Sequence, residues 1–427
     1  MMIQKQVVLQ FVALFLSISA LSSFKTTIVP AKHRQQEHPK LFAATETASS
    51  YASLLETKMR NETTTTNTME TASSQNSKQN PLALLEHVNF NVPNHDYILD
   101  FYFQLMGFGL DPRVAVNLMD NDQQFGREGL IWASCGPNQF HLPRCNVDKK
   151  EVAQKLNGKI GLRYKSLQGL EERLGRALAL SNSGPNSNEL CLEWFDVVQN
   201  SERKTIEIQI QDRYGNVFSC KEGPEKQTQY MQPVVRKSDT DTFENVALTY
   251  GVSNESECRG IDYLEFHCQI DTAHKIAEFY QTIFDATTTV IEEKEPRKGG
   301  NNSTVTTLTA YISLGTIDPN TQKAEQYLIF RETCDEFPEN DGHHIAIYMG
   351  TKDTVDFERA FHKAKDRGLL STNWRDKADV LDLEAARSQS QFRIRDILDL
   401  QTGEPIFRLE HELRSINHPT WPGKNQN

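Results

Sequence analysis

The chain has no surplus of positive charge: 46 Lys and Arg stand against 57 Asp and Glu, a formal net charge of -11. That balance gives a phosphate-binding, nucleic-acid role no electrostatic support. Cysteine is sparse as well. The seven residues (Cys135, Cys145, Cys191, Cys220, Cys258, Cys268 and Cys334) are scattered, odd in number and contain no CxxC pair. This argues against a disulfide scaffold and against a cysteine zinc site, and reduced thiols are expected. Hydrophobic residues make up only 38% of the chain, largely because the segment after the N-terminal apolar run is poor in them. No membrane span is expected once that first run is removed. What remains of the 427 residues is enough for two or three domains with their own cores.

The N-terminus reads as a targeting signal. Lys5 supplies a short basic region, and residues 7–20 form an apolar stretch of signal-peptide length, followed by small residues at Ala20, Ser22 and Ser23. Residues 1–23 are assigned to that signal. Residues 24–81 are rich in Ser, Thr, Asn and Gln without a hydrophobic period, and are expected to be disordered. Ser22-Ser23-Phe24 followed by Lys25, Lys32, Arg34 and Lys40 resembles the bipartite plastid presequence of algae with secondary plastids. Plain secretion is the alternative, and both routes begin at the ER. Sequons at Asn61, Asn254, Asn301 and Asn302 would be glycosylated only on the secretory route.

From Leu84 onward a strand, a helix and up to three further strands recur in four copies. The first copy opens at 85–92, where Val88, Phe90 and Val92 alternate with His87, Asn89 and Asn91. Its helix spans about 95–106, and strands follow at 130–134 and 139–142. The second opens at 159–164, with a helix over 167–180 and strands at 190–198, 205–211 and 217–220. Residues 225–257 are polar, lack a clear period and read as a linker between two halves. The third copy opens at 261–268, with a helix over 272–284, strands at 304–313 and 326–330, and a flexible loop at 298–303. The Glu292-Glu293-Lys294-Glu295 run, stopped by Pro296, reads as a solvated loop or strand end. The fourth opens at His344, continues with a helix over 355–367, and ends in a hairpin of 391–398 against 406–412. Two copies per half imply two paired-unit domains, 82–224 and 258–416, followed by a tail at 417–427.

The chemistry-bearing residues lie on these strands. In Asp341-Gly342-His343-His344-Ile345-Ala346-Ile347-Tyr348-Met349, residues Ile345, Ile347 and Met349 share one face, and His344, Ala346 and Tyr348 the other. In Phe407-Arg408-Leu409-Glu410-His411-Glu412 the apolar Phe407 and Leu409 oppose Arg408, Glu410 and Glu412. If both apolar faces pack on helices, His344 and Glu410 point into a shared cleft. They supply two of the three ligands of a 2-His-1-carboxylate iron site, and equally two ligands of a zinc or nickel site. A structural hydrogen-bonded pair is the bland reading. His87 and His141, with Gln139, form a second candidate cleft that suits a metal-free pocket nearly as well. His343 and His411 fall on apolar faces and read as packing residues. Arg408 and Glu412 share the Glu410 face, where a salt bridge would steer that carboxylate. Arg163, His267, Tyr348 and Arg408 complete the candidate substrate-binding set, with a structural ion pair as the alternative for Arg163.

The paired βαβββ units, with the strings Glu86-His87-Val88-Asn89, Gln139-Phe140-His141-Leu142-Pro143, Asp341 to Tyr348 and Leu409-Glu410-His411-Glu412-Leu413-Arg414-Ser415, resemble the vicinal oxygen chelate superfamily. That superfamily includes glyoxalase I, bleomycin-resistance proteins, fosfomycin-resistance enzymes and extradiol dioxygenases. The resemblance covers roughly residues 84 to 420 and implies an α+β fold of four βαβββ modules in two domains. It also implies metal ligands on the opening strand of each module and on its last strand. Carried over position by position, it points to His344, Glu410 and Tyr263 as metal ligands, although Tyr263 is not a histidine. His87 and His141 match the first module, while Gly161 and Ser219 stand where the second would place ligands. Tyr263 or Glu265 is then the candidate proton-transfer group. The activity so implied is a divalent-metal-dependent enzyme (iron, zinc, nickel or manganese) of dioxygenase, lyase or isomerase type, acting on a small oxygenated molecule. The alternative is a metal-free protein that sequesters a small molecule, and the resemblance leaves room for a homodimer.

Overall fold

Alternation of apolar and polar residues at a period of two produces fifteen strands among the residues that the computed structural model describes. Those residues are 80–119, 126–146, 150–181, 192–200, 205–223, 237–296, 304–336, 342–371 and 380–421. The expected leader, residues 24–79 of the presequence and the 298–303 loop lie outside them, whereas Asn80, at the end of the expected presequence, is buried. In chain order the strands are β1 (Leu82–Asn89), β2 (Gly109–Leu110), β3 (Gly126–Cys135) and β4 (Asn138–Arg144); then β5 (Gly158–Tyr164), β6 (Leu192–Asn200), β7 (Thr205–Asp212) and β8 (Val217–Glu222). They continue with β9 (Cys258–Cys268), β10 (Thr288–Pro296), β11 (Thr304–Ile317) and β12 (Ala324–Glu332), and end with β13 (His344–Met349), β14 (Gln391–Leu398) and β15 (Pro405–Ser415). After β1, β5, β9 and β13 the chain turns helical, at His95–Tyr97 running on as a π-helical stretch Ile98–Leu105, at Gln168–Ser181, at Ala273–Phe284 and at Val355–Asp366. The class is α+β, as expected.

The strands form two sheets. One has seven strands in the order β14-β15-β13-β1-β4-β3-β2, and the other eight in the order β10-β11-β12-β9-β5-β8-β7-β6. The central pairings are antiparallel, β1 with β13 and β5 with β9. Each sheet therefore draws strands from both halves of the chain. The sequence suggested pairing within each half; instead the first strand group completes its sheet with the last, and the two middle groups share the other. The apolar faces of both sheets pack on helices. Ala273–Phe284 buries Ile276, Phe279, Tyr280 and Ile283 against β11 and β12 of the second sheet and reaches β14 of the first. Each such side chain removed from water stabilises the fold by roughly 1.5–3 kcal/mol before entropy is counted.

The two central strands that begin these sheets carry matching irregularities. In β1, Leu85 pairs with Ile347 and His87 with Ala346, so Glu86 is an extra, bulged residue. In the β5–β9 pair, Gly161 meets Tyr263 and Leu162 meets Ile261, so Asp262 is the extra residue. The backbone groups beside both bulges are then bonded by side chains from β4 and β12, the strands next to β1 and β9, each of which reaches both sheets. Gln326 Oε1 accepts from Leu85 N at 3.0 Å while its Nε2 donates to Ile261 O at 2.8 Å. Asn138 Oδ1 accepts from Ile261 N at 2.7 Å and its Nδ2 donates to Leu85 O. Both amides are buried. One Asn and one Gln thus tie the two sheets together at four backbone atoms.

Two expectations need correction. The segment 225–257 contains a helix, Lys237–Tyr250, not only a linker. Phe243, Val246, Ala247 and Tyr250 recur at helical spacing, Phe243 and Val246 are buried, and Tyr250 OH donates to Leu118 O at 3.0 Å. The acidic run at 292–295 lies inside β10, where Glu293 is buried and ion-paired with Arg331. A partner from a distant strand replaces the water that such a run normally needs.

Asn138→Ala leaves the Leu85 carbonyl and the Ile261 amide without their bonds in a dry interior. We expect a loss of about 1–3 kcal/mol of unfolding free energy by denaturant titration. A change below about 0.5 kcal/mol would mean that the cross-sheet tie contributes nothing.

Candidate functional site

The cleft face of the seven-stranded sheet collects the polar residues of β1, β4, β13, β14 and β15. On β13, His344 pairs with Asn89 of β1 on one side and Glu410 of β15 on the other. Ala346 lies between His87 and Glu412 in the same way. Because Ala346 carries only a methyl group, His87 and Glu412 can lean over it toward His344. The ring nitrogens His87 Nε2 and His344 Nε2 lie 3.4 Å apart, and His344 Nε2 lies 3.8 Å from Glu412 Oε2. One ligand atom from each of His87, His344 and Glu412 falls within 4.8 Å of the other two.

The Glu86 bulge is what shapes this site. Without it, Glu86 and His87 would point to opposite faces of the strand. With it, Glu86 Oε2 sits 2.6 Å from His87 Nδ1 on the same face. That contact places the proton on Nδ1 and turns the Nε2 lone pair toward His344. Beyond it, His141 stacks on His87 with ring centroids 3.7 Å apart and planes at 15°, and on Trp132 at 4.8 Å and 12°. His141 Nε2 donates to Gln139 Oε1 at 3.2 Å, and Gln139 Nε2 donates to Asp111 Oδ2 at 2.7 Å. Asp111 is in turn held by Arg113, whose guanidinium lies over Trp132.

Electrostatics set the protonation states. Burial, then the Arg414 guanidinium, holds His87 well below its ordinary value; burial and Arg393 do the same for His344, and burial and His87 for His141. All three imidazoles are neutral at pH 7. Burial pushes the Glu412 carboxyl up, but the guanidiniums of Arg414 and Arg393 outweigh it and hold the group well below the usual carboxylate range. Arg414 Nε donates to Glu412 Oε1 at 2.6 Å, and Arg393 Nη2 to Oε2 at 2.5 Å. Arg414 also pairs with Glu86, whose Oε1 accepts from Thr420 Oγ1 at 3.1 Å. The C-terminal residues thus reach the cluster: Thr420 Oγ1 meets Tyr348 OH at 2.7 Å, and Trp421 packs edge-on against the Tyr348 ring. Residues 418–421 of the tail therefore pack on this sheet.

The residues named from sequence are redistributed. His344 is central, but the carboxylate beside it is Glu412. Glu410 stands opposite His344 in register, yet its Oε1 accepts from Arg393 Nη1 at 2.5 Å and its side chain is a quarter exposed. His87, His141 and Gln139, read as a separate cleft, join His344 because β1 pairs with β13. Tyr348 is fully buried and bonded to the tail, and Arg408 is exposed at the strand's outer end. Tyr263, Glu265 and His267 lie on β9 in the other sheet, as does Arg163 on β5, and do not meet His344. There the Tyr263 ring fills the room that Gly161 leaves: a Cβ on Gly161 would come within 2.1 Å of Tyr263 Cε1. Glu265 is paired with Arg331, and Arg163 with Asp262. Burial pushes the Glu265 carboxyl up, but Arg331 and Lys159 bring it below its ordinary value. His343 stacks parallel to Phe266, and His411 bonds Tyr280 OH at 2.6 Å and is pushed down to about 3 by burial. Both are packing histidines. The signals that sequence reading missed were the Glu86-His87 pair, which only a bulge can bring to one face, and the long-range pairing of β1 with β13.

No protein-family model matches the chain, and no curated protein matches it. Among solved structures it is similar to glyoxalase I from Zea mays, with 11% identity, 78% of this chain and 92% of that one covered, and a TM-score of 0.42. It is also similar to a candidate dioxygenase from Bacillus subtilis, with 11% identity, 81% and 91% covered, and a TM-score of 0.42. The 2,3-dioxygenase LapB from Pseudomonas sp. KL28 gives 10% identity, 79% and 93% covered, and a TM-score of 0.24. At these levels the activities of those proteins do not carry over to this one. Among the described residues no helix is long and apolar enough to cross a membrane.

Two predictions follow from this geometry. In the unfolded chain the three histidines titrate near 6.5, so below that pH the unfolded state binds protons that the folded state refuses. Stability contributed by the neutral cluster is complete above pH 6.5 and lost as the pH falls. Each histidine should cost about 1 kcal/mol between pH 7 and 5.5. Denaturant titrations at the two pH values check this, and His344→Gln should flatten the dependence. A pH-independent midpoint in the native protein would contradict neutral burial. In the other sheet, Gly161→Ala should lose about 1–3 kcal/mol by overpacking, and adding Tyr263→Ala should recover part of it.

Proposed function

We propose that the cleft of the seven-stranded sheet holds one divalent cation through His87, His344 and Glu412, and that the protein uses it as an enzyme acting on a small oxygenated organic molecule. The observation that carries this reading is the convergence of two neutral imidazoles and one ionised carboxylate from opposite ends of the chain. The donor set fits. Two nitrogens bound at about 2.0–2.1 Å with tetrahedral angles would be about 3.4 Å apart, which is the separation of the two Nε2 atoms. The Glu412 oxygen lies 3.8 Å from His344 Nε2 and within 4.8 Å of the His87 ligand atom, so a shift of its side chain closes the set. Glu86 on His87 Nδ1 is the outer carboxylate such a ligand needs. Two histidines and a carboxylate on one face leave positions open to substrate, the arrangement of non-haem iron sites, and zinc, nickel and manganese are compatible with the same donors.

The formal charges support a small anionic or readily ionised substrate. Glu86, Glu410 and Glu412 outnumber Arg393 and Arg414 by one, and the histidines are neutral. A divalent cation overcompensates by one charge, which one substrate oxygen anion would balance. When bound, the cation supplies Lewis-acid polarisation of substrate oxygen, or dioxygen activation if it is iron. The chain's own part is to hold the imidazoles neutral and to keep Glu412 ionised, with the His87–His141–Trp132 stack fixing the His87 ring. Tyr263 and Glu265 lie in the other sheet, and this reading gives them no part in the cleft's proton transfer.

Elemental analysis of the chain from residue 81 onward, purified without chelator or affinity metal, tests the proposal. We expect about one equivalent of a divalent metal, lost in His344→Ala and Glu412→Ala with the fold retained, and weakened roughly tenfold to hundredfold in Glu86→Gln. A protein that binds no iron, zinc, nickel or manganese even on addition would favour the metal-free sequestering pocket instead.

A further inference from the structure

The oxygen that faces His344 is already engaged. Arg393 stands opposite Glu412 in the antiparallel β14–β15 pairing, at the open edge of the sheet. Its Nη2 donates to Glu412 Oε2 at 2.5 Å and its Nη1 to Glu410 Oε1 at 2.5 Å. Glu412 Oε2 is the same atom that lies 3.8 Å from His344 Nε2. The other oxygen, Oε1, is taken by Arg414, which has its own second carboxylate in Glu86. Glu412 is buried, whereas the Glu410 side chain is a quarter exposed at the rim. Arg393 therefore spans an inner and an outer carboxylate.

We infer that Arg393 is a built-in competitor for the cation site. It occupies the Glu412 oxygen that the cation needs, and Glu410 is the outer seat to which its guanidinium withdraws when the cation arrives. This rests on the cation reading of the previous section and adds to it a determinant of affinity. Two forces favour the exchange. A divalent cation interacts more strongly with a buried carboxylate than a guanidinium of single charge does, and Arg393 keeps a charge-assisted bond to Glu410 after it leaves. Arg414 cannot act in this way, because it holds the oxygen turned away from His344. A purely structural Arg393 would have the opposite consequence: removing it would unsettle Glu412 and weaken any cation bound there. The sign of one mutational effect separates the two roles.

The experiment is calorimetric titration of the whole chain from residue 81 with Zn²⁺, with Co²⁺ absorption as an independent readout of ligand geometry. Arg393→Gln should bind Zn²⁺ roughly tenfold or more tightly than the native protein. Glu410→Gln should bind it more weakly, because Arg393 loses its outer seat, and in the double variant the Glu410→Gln penalty should shrink. Equal or weaker binding by a folded Arg393→Gln protein, with the native protein binding normally, overturns the competition and leaves the cation reading intact. No binding by the native protein or by Arg393→Gln overturns the cation reading itself. Should Arg393→Gln fail to fold, Glu410→Gln decides alone: weaker binding supports the competition, and unchanged or tighter binding overturns it.

Discussion

The structure depends on a tie between two bulged central strands. Leu85 of β1 and Ile261 of β9 each have a backbone N–H and C=O bonded to side chains, and Asn138 and Gln326 supply those bonds from the strands beside them. The tie fixes where each bulge sits, because moving either by one residue would strand four buried polar groups. It also holds the seven-stranded sheet to the eight-stranded one through atoms and not merely through apolar area. Everything at the candidate site follows from the position of the first bulge, since Glu86 and His87 can share a face only there.

The two sheets use the same strand pattern for different ends. In the seven-stranded sheet the small residue at the centre is Ala346, and the space above it is filled from both sides by a histidine and a carboxylate. In the eight-stranded sheet the small residue is Gly161, and the aromatic ring of Tyr263 closes the space. Around that ring, Glu265 and Glu293 share the single guanidinium of Arg331 in a buried ion-paired group. Such a group is stable only with every partner present, and it leaves no neutral imidazole pair facing a carboxylate. The second bulge residue, Asp262, goes to Arg163 instead of orienting a ligand.

The electrostatics of the seven-stranded cleft rest on alternating charge. Across its face, Glu412 bridges Arg393 of β14 to Arg414 of its own strand, and Arg414 reaches over β13 to Glu86 of β1. The arginines keep Glu412 ionised in a dry setting, while burial first, and then the same arginines, keeps His87 and His344 unprotonated. Burial and one charge arrangement together thus leave a carboxylate ready to accept a cation beside neutral imidazoles. The C-terminal Thr420 closes that chain at its far end, which gives the packed tail a part in orienting Glu86.

Much of this was legible in the sequence, for physical reasons. Strict alternation at 85–92, 205–211, 261–268 and 344–349 gave the strands, because side chains on a pleated strand must take opposite faces. The apolar stripes after β1, β5, β9 and β13 marked the helical segments that follow them. The same alternation placed His87 and His344 on polar faces, and His343 and His411 among apolar neighbours. The helix at Lys237–Tyr250 and the burial of Glu293 were hidden because their partners, residues 112–119 between β2 and β3 and Arg331, are far away in sequence. Local pattern determined which residues face a cleft and which face the core. Which of them meet was decided only by tertiary pairing: β1 finds β13 across some 250 residues, Glu412 and not Glu410 brings an oxygen to His344, and the bulge that β13 imposes on β1 turns Glu86 onto the face of His87. The pairing of β1 with β13 and β15 joins strands from opposite ends of the chain, which no window of sequence contains.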